Sequence, residues 1–431
     1  MNGLRERFED LAGTPAPPSR LTADAVYRAG WRRRQQRLAM GAAALLAVIG
    51  LTAGAGLAVV SAARNDPAAR PSPDPTADGW PADTRNGTVI SAVATDAEHV
   101  YAGVNSCVLD GGGQRACAAT LMGSDDGGRT WTLRQAEFGD GRVSSPAPGV
   151  LLRLVEQPPA DGERRSSTLY RTSTDGGRSW AELELRTEPV AEVPAGGWAE
   201  CMNTYDGGLP PQPCVVGAFD PATRRAAPLA TQPPVENLRV VPVPPSVGLW
   251  VTGFDDAGVL TVATSHDRGR SWVRNTLGAG AADVPPGSAL GSLAVGAERG
   301  IAYAFIAVNG PTGRRYVVYR TNDGGTTWYR DEPGPAMTEP TLYSAHAYVA
   351  ADGTHRLSQN GRQWWVGGAG RSGYTQETPD VLAKLGDRAM GRGPLVTNPA
   401  PGVFLAFDTE AVYRSSDGIR WTRHPVQAPP R

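Results

Sequence analysis

Lysine is almost missing from this chain of 431 residues: Lys384 is the only one, and arginine carries the positive charge. With 42 basic residues against 43 acidic ones the formal net charge is −1, which excludes the basic footprint of a nucleic-acid binder. Histidine is scarce as well; His99, His266, His346, His355 and His424 are scattered without metal-ligand spacing. The cysteines are only four, Cys107, Cys117, Cys201 and Cys214, and none of them falls in the first 37 residues, where a Cys/His metal cluster therefore has no ligands. No cofactor and no metal is expected.

One further absence is local. Leu38 to Ala63 contains no charged residue, and this run is long enough to span roughly 30 Å of hydrocarbon, for which about 20 helical residues suffice. Arg32, Arg33, Arg34 and Arg37 precede it, so the positive-inside rule places the N-terminus in the cytoplasm and everything after Arg64 outside. A single transmembrane helix over 38–63 is expected, with 1–37 as a short basic cytoplasmic segment. The competing reading is a cleaved signal peptide ending near Ser61-Ala62-Ala63, but the apolar run exceeds the usual h-region and about 30 residues precede its basic part. Gly50 and Gly54 form a small-xxx-small pair that could let two such helices approach, a pattern that alanine-rich spans also meet by chance. Residues 64–79, rich in proline, cannot continue a helix or pair in a sheet and read as a stalk, up to about 45 Å long in polyproline II form.

What the chain does have is a phrase that returns. Ser124-Asp-Asp-Gly-Gly-Arg-Thr-Trp131, Ser173 to Trp180, Ser265 to Trp272 and Thr321 to Trp328 share the pattern Ser/Thr-x-Asp-x-Gly-x-Ser/Thr-Trp, and Ser358 to Trp364 and Ser415 to Trp421 read as shortened forms. The aspartates Asp126, Asp175, Asp267, Asp323 and Asp417 can accept hydrogen bonds from their own turn, and the glycine supplies the positive φ the turn needs. Strand-like runs such as Leu169 to Thr172, Val318 to Arg320 and Val412 to Arg414 lead into the phrase, and Trp131, Trp180, Trp272, Trp328, Trp364 and Trp421 are expected to pack beneath it. A calcium loop is excluded, because an EF-hand spaces its ligands over about twelve residues and closes on a bidentate Glu. A recurrence of roughly 50 residues is the period of a β-propeller blade, which cannot bury its own faces and must stack on neighbours.

The phrase resembles the Asp-box (BNR) repeat of sialidases, sortilin-type receptors and a family of photosystem assembly factors; the composition, rich in Ala, Gly, Pro and Arg, is that of a GC-rich bacterial genome. The resemblance implies an all-β propeller in which each box joins the third and fourth strands of a blade, at the periphery and away from the active face. The interval from Trp180 to Trp272 is nearly double the others, so a blade without a readable box is expected between them, with Asp220-Pro-Ala-Thr as its degenerate turn. Six boxes and one degenerate turn predict seven blades over residues 80–431; six blades is the alternative, because Trp328 to Trp364 is short.

Cysteines beyond the membrane favour disulfides. Of the three pairings open to four cysteines, the local one, Cys107 with Cys117 and Cys201 with Cys214, is expected, each bridging the second and third strands of its blade. Those connections share a face with the blade-to-blade loops, opposite the boxes. Ser106 to Ala116, Met202 to Pro213, Gly278 to Gly287 and Gly367 to Asp387 are thus expected to rim any binding site.

Two functions are weighed. The first is a membrane-tethered extracytoplasmic module, non-catalytic and monomeric, that binds a protein or a glycan. The second is a sialidase-type glycosidase, which in that family needs three arginines, a Tyr nucleophile with a Glu, and an Asp acid. The Phe/Tyr-Arg-Ile-Pro motif of those enzymes has no counterpart before Ser124, where Arg85 and Arg115 are the only arginines from Trp80 onward, so no residue is assigned a catalytic role.

Overall fold

The computed structural model describes residues 87–109, 115–139, 142–157, 167–202, 214–278, 284–298, 300–310, 313–331, 346–358, 363–377 and 396–427. The segments 1–37, 38–63 and 64–79 lie outside them, as do Gly50, Gly54, Lys384 and most of the predicted rim. Among the described residues no helix is long and apolar enough to cross a membrane.

The described chain forms seven sheets of four strands each. Blade 1 is β1 (Thr88–Ala94), β2 (Val100–Leu109), β3 (Arg115–Ser124) and β4 (Thr132–Gln135); blade 2 is β5 (Ser144–Ala147), β6 (Val150–Gln157), β7 (Ser167–Ser173) and β8 (Ala181–Glu182). Blade 3 is β10 (Trp198–Cys201), β11 (Val216–Asp220) and β12 (Arg225–Pro228), with β9 (Glu184–Leu185) at its outer edge. Blade 4 is β13 (Glu236–Val241), β14 (Leu249–Phe254), β15 (Leu260–Ser265) and β16 (Val273–Thr276); blade 5 is β17 (Ala289–Val295), β18 (Ala302–Gly310), β19 (Gly313–Thr321) and β20 (Tyr329–Asp331). Blade 6 is β21 (His346–Val349), β22 (His355–Ser358), β23 (Trp364–Gly367) and β24 (Thr375–Gln376), and blade 7 is β25 (Val396–Ala400), β26 (Val403–Phe407), β27 (Ala411–Ser415) and β28 (Thr422–Pro425).

Burial explains why the ring closes. The buried side chains fall into seven clusters, and each cluster draws on two neighbouring blades, including one that joins blade 7 to blade 1 through Leu405, Val412 and Val426 against Val89, Val100 and Val104. Because a blade is covered on both faces, its second strand need not alternate. In β18 the whole run Ala302 to Val308 is buried. Arg414 of β27 fastens the same closure with polar contacts, donating from its guanidinium to the backbone oxygens of Gly127 at 2.6 Å and of Ala97 at 2.5 Å in blade 1.

Seven blades is therefore the outcome, but two of the turns used to count them are something else. The Ser358 to Trp364 segment connects β22 to β23, the second and third strands of blade 6, so Trp364 is not a box tryptophan; it is buried between blades 6 and 7. The Asp220 turn likewise connects β11 to β12, the second and third strands of blade 3. Blades 3 and 6 both lack a box. In blade 3 the chain after β12 meets Pro233 and Pro234, which have no N–H to give to a ladder. Its outer edge is filled from the other direction, by β9 arriving from blade 2 and pairing in parallel, Glu184 opposite Arg225 and Leu185 opposite Ala226.

Candidate functional site

Five boxes close the third-to-fourth-strand turn, in blades 1, 2, 4, 5 and 7. In the box of blade 2 the Asp175 carboxylate accepts from Ser173 Oγ at 2.8 Å, from the Arg178 and Ser179 N–H groups at 3.0 and 2.9 Å, and from Ser179 Oγ at 2.6 Å. Ser173 Oγ in turn accepts the Gly177 N–H at 2.8 Å, across a turn where Gly176 and Gly177 hold φ of 73° and 83°. Asp126, Asp267 and Asp323 repeat the pattern with Thr130, Ser271 and Thr327 as donors, and Asp417 does so in a turn one residue tighter, with Ile419 and Arg420. Trp180 and Trp328 return their ring N–H to Gly177 and Gly325 of their own turns, each at 3.2 Å, while Trp272 reaches the Thr231 carbonyl at 3.0 Å. Trp131 and Trp421 are half-buried against the clusters that flank blade 7.

Both carboxylate oxygens of each box aspartate are thus engaged by its own turn. Thr130 and Ser124 hold Asp126 far below the usual carboxylate range. Burial would raise Asp175 and Asp323, but the donors of their turns outweigh it and bring both to about 2; Ser271 brings Asp267 to about 2 as well. A carboxyl depressed in the fold takes its proton first in the unfolded chain, so this stabilisation is complete above about pH 4 and is lost as pH falls toward 2. Asp175→Asn is expected to lower the neutral-pH melting temperature by about 1–2 °C, the response to roughly 1 kcal/mol in a propeller of this length, and to make its decline below pH 4 shallower; thermal melts across pH 2–7 measure both.

The box turns share a face with the first-to-second-strand turns, as direct bonds show: Gly127 N–H to Glu98 O at 2.7 Å, Gly324 N–H to Gly300 O at 2.9 Å, and Ala351 N–H to Asp417 O at 3.0 Å. A recess of about 10 Å³ on this face, between Gly296, Ala297, Asn398 and Phe404, has room for no more than a water.

Both local disulfides form, yet they do not occupy equivalent positions. Cys107–Cys117 bridges β2 to β3 as predicted. Cys201–Cys214 does not: Cys201 ends β10 and Cys214 precedes β11, so this bridge spans the first-to-second-strand connection and lies on the box side. The prediction failed because it took the Asp220 turn for a third-to-fourth-strand turn, which shifted every strand of blade 3 by one.

The inner strands β1, β5, β10, β13, β17, β21 and β25 face one another around the axis. Among the described residues they carry one arginine, Arg239, and the carboxylates Glu200 and Glu236. Glu200 is largely withdrawn from water, which pushes its carboxyl above the ordinary value; only the Cys201 N–H, at 3.2 Å, offsets this. Tyr348 of β21 is not on the axis side of the site: its hydroxyl donates to Gly418 O at 2.7 Å between blades 6 and 7.

A concavity of about 670 Å³ lies at blade 3. Its existence follows from the exchanged outer strand. After β9 the chain continues as an irregular strap, tied to the blade by Arg186 N–H to Ala226 O and Val190 N–H to Pro228 O, both 2.8 Å, and to the box of blade 4 by Val193 N–H to Arg268 O at 2.8 Å. Strap residues Arg186, Glu188, Val190, Glu192 and Pro194 form one wall. The opposite side is the outer part of β11 and β12, with Ala218 and Ala227 as the floor and Asp220, Thr223 and Arg225 at the rim. Glu192 is clamped by Arg268 and Arg270 of the neighbouring box, and Glu184 pairs with Arg186 at 2.6 Å and Arg225 at 3.7 Å. Sequence reasoning missed this cleft; the signal was the Pro233-Pro234 pair standing where blade 3 needed a fourth strand.

A second group that the sequence left without a role is His355, fully buried at the junction of blades 5 and 6. Its ring stacks on Tyr303 at 4.6 Å and 3°, and Nδ1 shares a 2.6 Å hydrogen bond with the Tyr374 hydroxyl. Tyr303 donates to Gly353 O at 3.0 Å and accepts the Ala369 N–H at 3.3 Å, so this aromatic set braces the third-to-fourth-strand turn of blade 6, which has no box.

Among solved structures the chain is similar to YCF48 bound to a D1 peptide, with 16% identity over 80% of this chain and 85% of that one and a TM-score of 0.30. It is similar to an α-L-arabinofuranosidase of Fusarium graminearum in complex with arabinobiose, with 10% identity over 79% and 92% and a TM-score of 0.33, and to a polysaccharide lyase of the ulvan lyase family, with 12% identity over 81% of each and a TM-score of 0.30. The blade count stands on the strand order, independently of these likenesses. No protein-family model matches the chain, and no curated protein matches it.

Proposed function

We propose that this protein is a non-catalytic Asp-box propeller, held at the outer face of a membrane by residues 38–63, that binds an extended segment of another protein in the cleft of blade 3. The observation that carries the reading is the cleft itself: about 670 Å³ falls within the range of ligand sites, and one wall is the strap that follows the exchanged strand β9. A floor of Ala218 and Ala227 leaves room for a backbone to come close, and the rim offers charges of both signs from Arg225 and Glu188 for register. The lining contains no aromatic ring on which a sugar could stack, which favours a peptide over a glycan. The sialidase alternative has no comparable support, since among the described residues its three arginines have a single inner-strand counterpart, Arg239.

Selection from a phage-displayed library of random peptides tests the reading. Peptides enriched on the wild-type chain should lose at least tenfold in affinity when Arg225→Glu and Glu188→Arg reverse the rim charges, and the purified protein should leave fluorogenic sialosides intact. Turnover of a sialoside, or peptide affinity that survives both charge reversals, contradicts the proposal.

A further inference from the structure

The two disulfides differ in what surrounds them. Strand β1 pairs with β2 only as far as Asn105, and β4 covers β3 only from Leu121 onward. Beyond those limits β2 and β3 continue as a two-stranded ribbon, and within it Cys107 and Cys117 stand directly opposite each other, with Cα atoms 4.0 Å apart. On its outer edge Ala119 O still accepts the Phe138 N–H at 2.7 Å, and a two-stranded ribbon is only marginally stable alone. Cys107 is buried while Cys117 is exposed, so a nucleophile in solution can reach one sulfur of the bond. Cys201–Cys214 is the more enclosed of the two: Cys201 is buried, its carbonyl accepts the Tyr170 hydroxyl at 3.2 Å, and the half-buried Cys214 packs against the cluster between blades 3 and 4.

We propose that Cys107–Cys117 is a reversible redox clasp on the hairpin of blade 1, opened by an external dithiol while Cys201–Cys214 and the propeller stay intact. A thiolate of the reductant attacks Cys117 Sγ, forming a mixed disulfide and expelling Cys107 Sγ as a thiolate, which takes up a proton. The second thiol of the reductant then attacks its own sulfur of the mixed disulfide, closing the reductant's disulfide and releasing Cys117 as a thiolate. Two thiols are oxidised and one disulfide is reduced, and exposure of the bond is what selects it. Opening frees the ribbon beyond Asn105 and changes the shape of the face opposite the boxes. The fold is retained, because the clusters that join blade 1 to blades 7 and 2 draw on residues before Cys107 in β2 and after Cys117 in β3.

Titration of the oxidised full-length protein with dithiothreitol, followed by alkylation of native thiols and mass spectrometry, reads both bonds at once. Where half of Cys107 and Cys117 is alkylated, Cys201 and Cys214 should be labelled at least tenfold less, and the cooperative melting transition should persist. The variant carrying Cys107→Ser and Cys117→Ser should melt as the singly reduced protein does. Equal labelling of the two pairs, earlier labelling of Cys201 and Cys214, or loss of the melting transition when the first pair opens would overturn the proposal.

Discussion

Replacing Trp364 by alanine is expected to cost about 3–5 kcal/mol of stability, the range for truncating a large aromatic in a packed core, whereas Trp131→Ala should cost on the order of 1 kcal/mol. In sequence the two residues look alike, each following a serine-led turn. Their surroundings differ: Trp364 is 1% exposed, meets Tyr348 edge-on with ring centroids 5.6 Å apart, and fills the space between blades 6 and 7. Trp131 is half-buried, so much of its ring already faces water in the folded chain. Denaturant unfolding of both variants decides it, and equal losses would return Trp364 to the role of a box tryptophan. Trp364→Phe, which keeps most of the volume, should recover more than half of the loss.

The second large effect is a response to acid centred on His355. Burial pushes its imidazole down to about 3 from an ordinary value of 6.5. Between those two values the unfolded chain binds a proton that the folded chain refuses, so stability is lost as pH falls through this window, by on the order of 4 kcal/mol at its lower end. His346 and His424 are also lowered by burial and add a shallower slope. His355→Phe keeps the stack on Tyr303 and removes the titration; it leaves the Tyr374 hydroxyl without its partner and so begins less stable at pH 7. Its stability should then fall much less than that of the wild type between pH 6.5 and 3, while the box aspartates add a decline common to both below pH 4. Parallel curves from pH 7 to 4 would show that His355 takes up its proton without opposing the fold.

How much of this was legible in the sequence depends on whether the information is local. The box turns were legible because each is a closed set of hydrogen bonds within eight residues, and five aspartates stand where the phrase put them. The strand to which a turn belongs is not local. Ser358 to Trp364 carries the outer residues of the phrase, but with no aspartate between them Ser358 Oγ donates to the Gln363 carbonyl at 2.7 Å, closing a different turn one strand earlier. Seven was still reached because the box missing from blade 3 and the one missing from blade 6 were each replaced in the count by a second-to-third-strand turn. The disulfide partners were legible from spacing, while the position of Cys201 inherited the same one-strand error. Least legible was the cleft, since the parallel pairing of Glu184–Leu185 with Arg225 and Ala226 joins segments on opposite sides of β10 and β11.

That the boxes are scaffolding and that binding belongs to blade 3, one of the two blades without a box, is tested most directly by isothermal titration of a library-selected peptide into the wild type, Arg225→Glu and Asp175→Asn side by side. The account predicts at least a tenfold weaker affinity for Arg225→Glu and wild-type affinity at 20 °C for Asp175→Asn, whose defect should appear only on heating or acidification. Affinity that survives Arg225→Glu and falls with Asp175→Asn would contradict it.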